Sequence, residues 1–409
     1  MFVEICHHLP RVSGQYSYGS EETGGFLGSR VSASWAGLGH SLREVLMLGL
    51  AGQGMVSMPV CGTQQAEEEE GEVEVELLCL RWAQLAAFMP SLRSWYSGSD
   101  NARMPYRLET LQYQEYIQWA LERRYQLLPY MMTLQQDWVI TGLPLVRPMF
   151  LHYSDSFMFG LWSQFMLGPD LVVAAVTSPE QEVVRVRLPP GSWYDFYSGI
   201  KYQSPGSATV LPVQARTYEL PAFQRGGSVI IVYKALSLSA GQSGQNYLEE
   251  AELEVKVALE CSGGPRQLQV CEATSSHAWV LDTGAARVNI TVNTRDSWGE
   301  LVVESEGETS KNLSLIMISG LYPSPCLSFT VETTGGQSVE ASECEEADSS
   351  ACWTDQQDLV LLRNINFSLT AVNRITWDVD MSSSSSTTAS TTTTTRTQQL
   401  LNRLLFQES

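Results

Sequence analysis

The hydrophobic periodicity of the chain changes at Gly142, and this change constrains the fold more than any other feature. Before Gly142, apolar residues recur mainly at the spacing of amphipathic helices. The predicted elements are a helix over Trp35–Leu50, a buried strand over Met55–Val60, a helix over Leu77–Phe88, and a helical region over Leu108–Val139 that breaks near Pro129. Helices that alternate with strands predict an α/β fold and are typical of an α/β barrel.

After Gly142 the chain consists of short β-patterned runs that are separated by Gly, Pro and Ser. Examples are Glu182–Leu188, Arg287–Val292 and Leu313–Ile318. Regular short strands with turn signals predict β-sandwich domains, and we expect a seam between two of them at Lys234–Gly244. The predicted domains are residues 1–141 (α/β), 142–233 and 234–380 (both β-sandwiches), and a Ser/Thr-rich tail over 381–409. The tail composition cannot form a core and indicates a disordered or O-glycosylated stalk.

The charge balance excludes several kinds of partner. The formal net charge of −20 argues against nucleic acid, whose phosphates require clustered Lys and Arg, and against anionic membrane surfaces. Two acidic runs, Glu67–Glu76 and Glu343–Asp348, contribute to this charge, and we interpret both as solvated loops. No stretch reaches the ~18 apolar residues of a membrane span, so no transmembrane segment is expected.

Cysteines and glycosylation sequons indicate the secretory pathway. None of the eight cysteines forms a CxxC pair and the few histidines are scattered, so we expect neither a metal site nor a cofactor. Sequons stand at Asn289, Asn312 and Asn366, all within the β-patterned part. Together with an even number of cysteines they favour an oxidising compartment, whether lysosomal, ER or extracellular. The first residues, MFVEICHHLPRVSG, lack the basic start and apolar core of a signal peptide, so we expect a front end to be missing.

Several longer motifs occur in one order along the chain. They are GLGHSLREVLMLGL, ELLCLRWAQLAAFMPSLRS, LERRYQLLPYMMTL, GLPLVRPMF, QFMLGPDLVVAAV, GSWYDFYSG and LPAFQRGGSVI. In this order the motifs resemble the C-terminal half of glycoside hydrolase family 31, the α-glucosidase family, from about Gly24 to about Ile231. The resemblance implies an α/β plus all-β fold: the C-terminal part of a (β/α)8 TIM barrel followed by two β-sandwich domains.

The resemblance also implies a disulfide between Cys61 and Cys79. Lysosomal-type members pair a cysteine after the seventh barrel strand with one in the next helix, in segments like CGF and ELCVRW. The corresponding segments here are Cys61-Gly-Thr and Leu78-Cys79-Leu-Arg-Trp. Such a bond would close a ~19-residue loop and stabilise the fold by roughly 3 kcal/mol. Two buried free thiols are the alternative.

The catalytic groups of the family are not recognisable in this chain. Members hydrolyse α-glucosides with retention, which requires two carboxylates about 5 Å apart. The nucleophile of the family lies in a WxDMNE-like segment, which is absent here, so we expect the chain to begin after it. The acid/base position, counted back from Trp35, falls at Arg30, which stays ionised and cannot donate a proton. The nearest upstream carboxylates are Glu21 and Glu22.

Further family positions that contact sugar differ here. The sugar-binding Asp corresponds to Pro59 and the aromatic residue that ends the same motif corresponds to Thr63. The histidine of the F-(M/F)-R-x-H segment corresponds to Trp95, while the arginine of that segment is kept as Arg93. Arg93 and Trp95 are therefore the candidate substrate-binding residues. The alternatives are a structural ion pair for Arg93 and a packing role for Trp95. Asp100-Asn101 resembles the acid motif of the family but is better explained as a surface turn.

The sequence leaves three interpretations open. The chain is a family 31 glycosidase segment that is incomplete and inactive alone, or a catalytically dead member that acts as a binding or scaffold protein. In the third interpretation it supplies its β-domains to a partner chain that carries the nucleophile. Carbohydrate, as an α-glucoside, is the ligand that the resemblance implies in all three.

Overall fold

The computed structural model describes most of the chain in two compact units. The described residues are 31–62, 72–94, 104–234, 251–262, 270–281, 285–295, 298–307, 309, 311–321, 327–332, 338–343, 352–356, 359–368 and 373–379. The first unit comprises the described residues up to Trp193 together with Gln203–Arg225. The second comprises Tyr194–Tyr202 and the described residues from Gly226 onward.

Helix α1 spans Trp35–Leu50, as the apolar spacing predicts. The Ser34 side chain caps the helix by accepting a hydrogen bond from the Gly37 amide at 3.1 Å. The buried stripe includes Leu38, Leu42, Val45 and Leu46, which recur at intervals of three and four residues. The amphipathic pattern explains why the helix was predictable, and the Ser cap fixes its first turn.

Strand β1 (Ser57–Val60) pairs in parallel with β2 (Ser91–Ser94), and helix α2 (Glu72–Ala86) connects them. All four residues of β1 are buried, as expected for a strand in a parallel sheet that is covered on both faces. Helix α2 begins five residues earlier than Leu77, so the loop interpretation of the acidic run was wrong for Glu72–Glu76. Acidic residues are favourable in the first turn of a helix, where they oppose its dipole.

The helical region after Met104 is divided into α3 (Leu111–Gln126) and α4 (Leu128–Thr141). The break lies at Leu127, just before Pro129, because a proline in the first turn of a helix needs no amide hydrogen bond. Gly142 ends α4 in the left-handed conformation at φ 76°, which glycine adopts without strain. The change of periodicity at Gly142 is therefore the end of the helical segment.

The strands between Gly142 and Arg225 form two sheets. Their bounds are β3 (Val146–Pro148), β4 (Gln164–Leu167), β5 (Leu171–Ala174), β6 (Val183–Leu188), β7 (Gly191–Asp195), β8 (Lys201–Ser204), β9 (Thr209–Gln214) and β10 (Ala222–Arg225). A six-stranded sheet has the order β3-β4-β5-β10-β7-β8, and β6 pairs separately with β9. β4 and β5 are buried throughout and form the centre of this β structure. Three short 3-10 helices lie at Pro105–Arg107, Met149–Leu151 and Ser156–Met158.

The second unit is built from twelve described strands in one hydrogen-bonded sheet. The bounds are β11 (Ser228–Tyr233), β12 (Leu253–Ala258), β13 (Glu260–Ser262), β14 (Val270–Leu281), β15 (Ala285–Arg295), β16 (Trp298–Gly307), β17 (Asn312–Ser319), β18 (Leu327–Glu332), β19 (Ser338–Glu343), β20 (Cys352–Gln356), β21 (Leu359–Ser368) and β22 (Asn373–Val379). The order is β11-β12-β17-β21-β20-β19-β18-β22-β16-β15-β14-β13. β11 also pairs with β14 through Ser228 and Thr274, so the ladder of strands returns to its start.

Strict alternation explains why the long strands of this unit form. In β15, Ala286, Val288, Ile290 and Val292 are buried, while the residues between them are only half-buried. A one-residue slip of register would expose all four, so the apolar pattern fixes the pairing.

The proposed domain boundaries at 141/142, 233/234 and 380/381 remain predictions. The expected seam Lys234–Gly244 lies outside the described residues except for Lys234, and the Ser/Thr-rich tail lies wholly outside them. β11, which the sequence assigns to the residues before the seam, is hydrogen-bonded to β12 over Ser228–Tyr233.

Candidate functional site

The carboxyl ends of β1 and β2 form the candidate site, because sites in parallel sheets lie where the strands end. Pro59 is paired with Arg93 and Val60 with Ser94 in the parallel register. The hydroxyls of Ser91 and Ser57 are hydrogen-bonded at 3.3 Å, which links the two strands two residues before the Pro59–Arg93 pair. Pro59 is buried and Arg93 is half-buried. The structure therefore brings together two of the positions that the sequence singled out.

The chemistry of this strand pair is limited by its side chains. β1 has the sequence SMPV and β2 the sequence SLRS, so neither strand contributes a carboxylate. A proline ring offers no hydrogen bond to a hydroxyl, and a guanidinium stays protonated and cannot act as an acid. The pair can orient an anionic or hydroxyl group through Arg93, but it cannot transfer a proton.

A tight turn and a disulfide fix the chain after β1. Cys61 has a φ of 60° and Gly62 a φ of 73°, so two successive residues adopt the left-handed conformation. A Cβ on Gly62 would lie 2.8 Å from the Ala33 amide nitrogen, which requires glycine at this position. Cys61 forms a disulfide with Cys79 of α2, and both residues are buried. The structure thus contains the bond that the family resemblance implies.

Two buried arginines of the same unit bind backbone carbonyl groups. Arg81 of α2 donates to the carbonyl oxygens of Arg216 at 2.7 Å and Ala215 at 3.0 Å, and burial lowers the pKa of Arg81 to about 10. Arg124 of α3 donates to the carbonyl oxygens of Met89 and, at 2.7 Å, Pro90, in the turn that leads into β2. Neither role was predicted from the sequence. The available signal was a single arginine in each of two apolar helical faces.

The structure describes only part of the predicted site. Arg30, Thr63 and Trp95 lie outside the described residues, as do Glu21, Glu22, Asp100 and Asn101. Their roles stay predictions.

The three sequon asparagines lie on strands of the second unit. Asn289 is half-buried within β15, where it pairs with Glu304 of β16. Asn312 is exposed at the first position of β17, and Asn366 lies in β21. Glycosylation at these residues stays a prediction.

A second group of charged residues surrounds Asp170 in the first unit. The carboxylate of Asp170 lies 2.9 Å from the guanidinium of Arg225. Burial raises the pKa of Asp170, and the cations of Arg225 and Arg147 oppose this effect. Desolvation and the charges of Arg147 and Arg225 lower the pKa of His152 to about 4, so its ring is neutral at pH 7. The nearest nitrogens of Arg147 and His152 are 3.2 Å apart, which fits a guanidinium that donates to a neutral imidazole.

The contacts around Asp170 stabilise the fold. Tyr130 donates its hydroxyl to the Leu167 carbonyl oxygen at 2.9 Å, and Arg147 donates to the Pro144 carbonyl oxygen at 2.6 Å. The Tyr130 hydroxyl and the Arg147 guanidinium therefore fix backbone on β4 and beside β3. Among the described residues, no three His, Cys, Asp or Glu side chains are placed to hold a metal ion. In the same part of the chain, no helix is long and apolar enough to cross a membrane.

Comparison with family models identifies two matching domains. Residues 13–134 match the TIM-barrel domain of glycosyl hydrolases family 31, and residues 142–230 match the C-terminal domain of glycosyl hydrolase family 31. The two matches follow each other along the chain and meet near Gly142, where the helical segment ends.

Curated relatives agree with these matches. Neutral alpha-glucosidase C of Mus musculus is 31% identical over 255 residues, which is 62% of this chain and 27% of that relative. Neutral alpha-glucosidase AB of Sus scrofa is 34% identical over 222 residues, which is 54% of this chain and 22% of that relative. The chain thus spans about a quarter of the length of the curated relatives it matches.

Solved structures share the fold. A Flavobacterium johnsoniae family 31 dextranase in complex with glucose has a TM-score of 0.68 at 19% identity, with 87% of this chain and 44% of that chain covered. A glucosidase II alpha subunit has a TM-score of 0.67 at 20% identity, with 86% and 37% covered. The predicted fold class, part of a (β/α)8 barrel followed by β-sandwich structure, is confirmed. The chain belongs to glycosyl hydrolase family 31.

Proposed function

We propose that this chain is a family 31 glycoside hydrolase-like protein of carbohydrate metabolism and that the isolated chain does not hydrolyse α-glucosides. The observation that carries the proposal is the buried Pro59, which is paired with Arg93 at the carboxyl ends of β1 and β2. By resemblance, an aspartate that binds sugar hydroxyls stands at the position of Pro59 in active members.

The changes at the Arg30 and Pro59 positions are expected to lower the rate of hydrolysis strongly. Retaining hydrolysis of a glycoside needs an acid/base carboxyl and a nucleophilic carboxylate about 5 Å apart. The resemblance places Arg30 at the acid/base position, and loss of a general acid alone removes about 10²–10⁴-fold of rate. The loss of hydroxyl binding at Pro59 would weaken the alignment of substrate further, because alignment depends on such directional bonds.

The alternative is a catalytically dead member that still binds carbohydrate or acts as a scaffold. Arg93 favours this alternative, since a half-buried guanidinium at a strand end can still donate to sugar hydroxyls. Trp95 would add a stacking surface next to it. The two functions differ in one measurable property, because only the second requires saturable binding of an α-glucoside that depends on Arg93.

We place the protein in the lumen of the secretory pathway. Two disulfides, Cys61–Cys79 and Cys261–Cys271, fit an oxidising compartment. The sequons at Asn289, Asn312 and Asn366 support the same location. Expression with a secretion leader should give endoglycosidase-sensitive material, and secreted protein without any glycan would contradict this part of the proposal.

The central test is turnover of a chromogenic α-glucoside, p-nitrophenyl α-D-glucoside, by the purified chain. We expect no release of nitrophenol above that of the Glu21→Ala/Glu22→Ala double variant, which removes the nearest alternative acids. Turnover by the parent chain that the double variant lacks would show that a carboxylate still supplies the proton, and the proposal would be overturned.

Calorimetric titration with maltose separates the two functions. Heat of binding that saturates and that disappears in Arg93→Gln would establish the binding-protein alternative. Asn293→Gln, an exposed change on β15 of the other unit, is the matched control. The absence of heat that depends on Arg93 would support the proposal of an inactive glycoside hydrolase-like chain.

A further inference from the structure

Three aromatic rings meet on the surface of the first unit, outside the strand-end site. Tyr116 and Trp119 lie one turn apart on α3, with ring centroids 5.1 Å apart. Tyr218, in the segment after β9, lies 6.0 Å from Tyr116 and 6.5 Å from Trp119, edge to face in both cases. All three residues are half-buried, so each is partly accessible to solvent. We call these three residues the aromatic cluster.

Polar groups that suit hydroxyl recognition line the aromatic cluster. Arg216 and Glu219 form an ion pair at 2.9 Å, and the guanidinium carbon of Arg216 lies 5.9 Å from the ring centroid of Tyr218. Gln112 donates its amide to the Tyr116 hydroxyl at 2.7 Å. An ion pair with one side chain 37% exposed adds little to stability. A planar donor fork and a carboxylate beside aromatic rings are, however, the groups that pair with vicinal hydroxyls.

Two side chains of α2 fix the backbone of the segment that carries Tyr218. Arg81 donates to the Ala215 and Arg216 carbonyl oxygens, and Gln84 donates to the Thr217 carbonyl oxygen at 2.8 Å. Arg81 and Gln84 are both buried and are themselves hydrogen-bonded at 3.1 Å. Three successive carbonyl groups of a surface segment are thus fixed by side chains of α2. A surface that is rigid before binding loses less conformational entropy on binding.

We propose that the aromatic cluster, with the Arg216–Glu219 pair at its edge, is a surface binding site for a chain of α-linked glucose units. A pyranose ring presents C–H groups on its faces and hydroxyls around its rim, which matches half-exposed rings bordered by a cation and a carboxylate. The net charge of −20 disfavours a polyanionic ligand at the same surface. The choice of an α-linked glucan rests on the proposed function, whereas the site itself rests on Tyr116, Trp119 and Tyr218.

The test is native gel electrophoresis of the whole chain in gels that contain glycogen. We expect the parent chain to be retarded relative to serum albumin, and we expect no retardation in gels with hydroxyethyl cellulose, a β-linked glucan. Trp119→Ala should raise the apparent dissociation constant for glycogen on the order of tenfold, since it removes one stacking surface. Trp298→Ala is the matched control, because Trp298 is 42% exposed and lies in the other unit. It should leave the retardation unchanged.

Arg216→Gln provides a second variant that keeps the fold. The contacts of Arg216 with Arg81 use the backbone carbonyl, so the substitution leaves the anchor of the segment intact. We expect glycogen binding to weaken severalfold. If neither Trp119→Ala nor Arg216→Gln changes the retardation, or if the parent chain is not retarded, the site is overturned. Equal retardation by the β-linked polymer would overturn the ligand class.

The outcome is separable from that of the proposed function. A chain that neither hydrolyses the chromogenic glucoside nor is retarded contradicts only the aromatic cluster as a binding site. A chain that is retarded and also hydrolyses the glucoside contradicts only the proposed loss of activity.

Discussion

The buried ion pair between Glu254 and Lys256 in β12 gives a quantitative test of the second unit. Both side chains point to one face of an interior strand and are 8% and 6% exposed, with 3.2 Å between the ammonium nitrogen and a carboxylate oxygen. The ammonium also lies 5.0 Å from the ring centroid of Phe196 and 3.6 Å from the Met317 sulfur. The ammonium also donates to the Phe196 carbonyl oxygen at 3.5 Å.

The magnitude follows from the distance and the burial. At 3.2 Å and an effective dielectric constant of about 20, the attraction is about 5 kcal/mol. Removing two ions from water costs several kcal/mol each, so the pair as a whole contributes little net stability. Removal of one partner leaves the other charge buried alone. Lys256→Met and Glu254→Leu should therefore each lower the free energy of unfolding by about 3–5 kcal/mol.

The double variant distinguishes this reasoning from simple loss of packing. Glu254→Leu/Lys256→Met should unfold within about 1 kcal/mol of the parent, because no charge remains to be desolvated. The assay is amide hydrogen exchange of peptides from β12, which reports the opening free energy of this strand separately from the first unit. Costs of the single changes that add up in the double variant would refute the reasoning.

An exposed pair serves as the control in the same unit. Lys234 and Glu252 are 3.3 Å apart, and their side chains are 46% and 48% exposed. Lys234→Met should change the opening free energy by less than about 1 kcal/mol, since exposed pairs contribute little. A loss as large as that of Lys256→Met would show that burial is not the cause.

Three further predictions concern single positions. Gly299→Ala should lower the free energy of unfolding by about 1–3 kcal/mol in urea titrations, because an added Cβ would lie 2.0 Å from the indole of Trp377; an unchanged midpoint would contradict the close packing. Burial raises the pKa of Tyr153 to about 12, above its ordinary value near 10, so stability that is present below pH 10 should fall by up to about 2 kcal/mol as the pH rises to 12. Tyr153→Phe should flatten this alkaline decline, and a decline of equal slope would reject the assignment. In secreted protein, Asn312→Gln should remove one endoglycosidase-sensitive mass increment and Asn289→Gln should remove none, because the first is exposed at a strand start and the second is half-buried between two strands.

Elements with strong local signals were predictable from the sequence. α1 spans the residues that its apolar stripe predicts, and Gly142 marks the end of α4. The sequence predicted a break of the long helical region near Pro129, and the structure has it at Leu127, two residues before the proline. Local sequence shows that a proline interrupts a helix, but only the backbone geometry shows on which side.

The start of α2 was not predictable from local sequence. The run Glu67–Glu76 has the composition of a solvated loop, yet its last five residues are helical. The Glu76 carboxylate accepts hydrogen bonds from the Glu109 and Thr110 amides at the start of α3, the latter at 3.2 Å. A partner more than thirty residues away gives this part of the run a reason to be ordered, and no local pattern reveals such a partner.

In the candidate site, too, some residues were predictable from the sequence and others were not. The positions of Pro59 and Arg93 followed from motif spacing, and the parallel register pairs them. The roles of Arg81 and Arg124 did not follow, because the carbonyl groups they bind belong to turns that only the folded chain brings near. The aromatic cluster was not predictable either, because Tyr218 lies about 100 residues after Tyr116 and only the folded chain brings the two rings together.

The double pairing of β11 has a consequence for the synthesis of the protein. Its six residues, SVIIVY, are all buried in the fold, and their neighbours β12 and β14 come later in the chain. The pairing residue in β14 emerges from the ribosome about 40 residues after β11, a delay of about 2–8 s at ordinary rates of translation. During this interval a short, uncharged and strongly β-forming segment is without its partners, which is the composition that promotes association between nascent chains. We expect substitutions that slow the closure of β14 onto β11 to reduce the yield of folded protein more than its stability once folded.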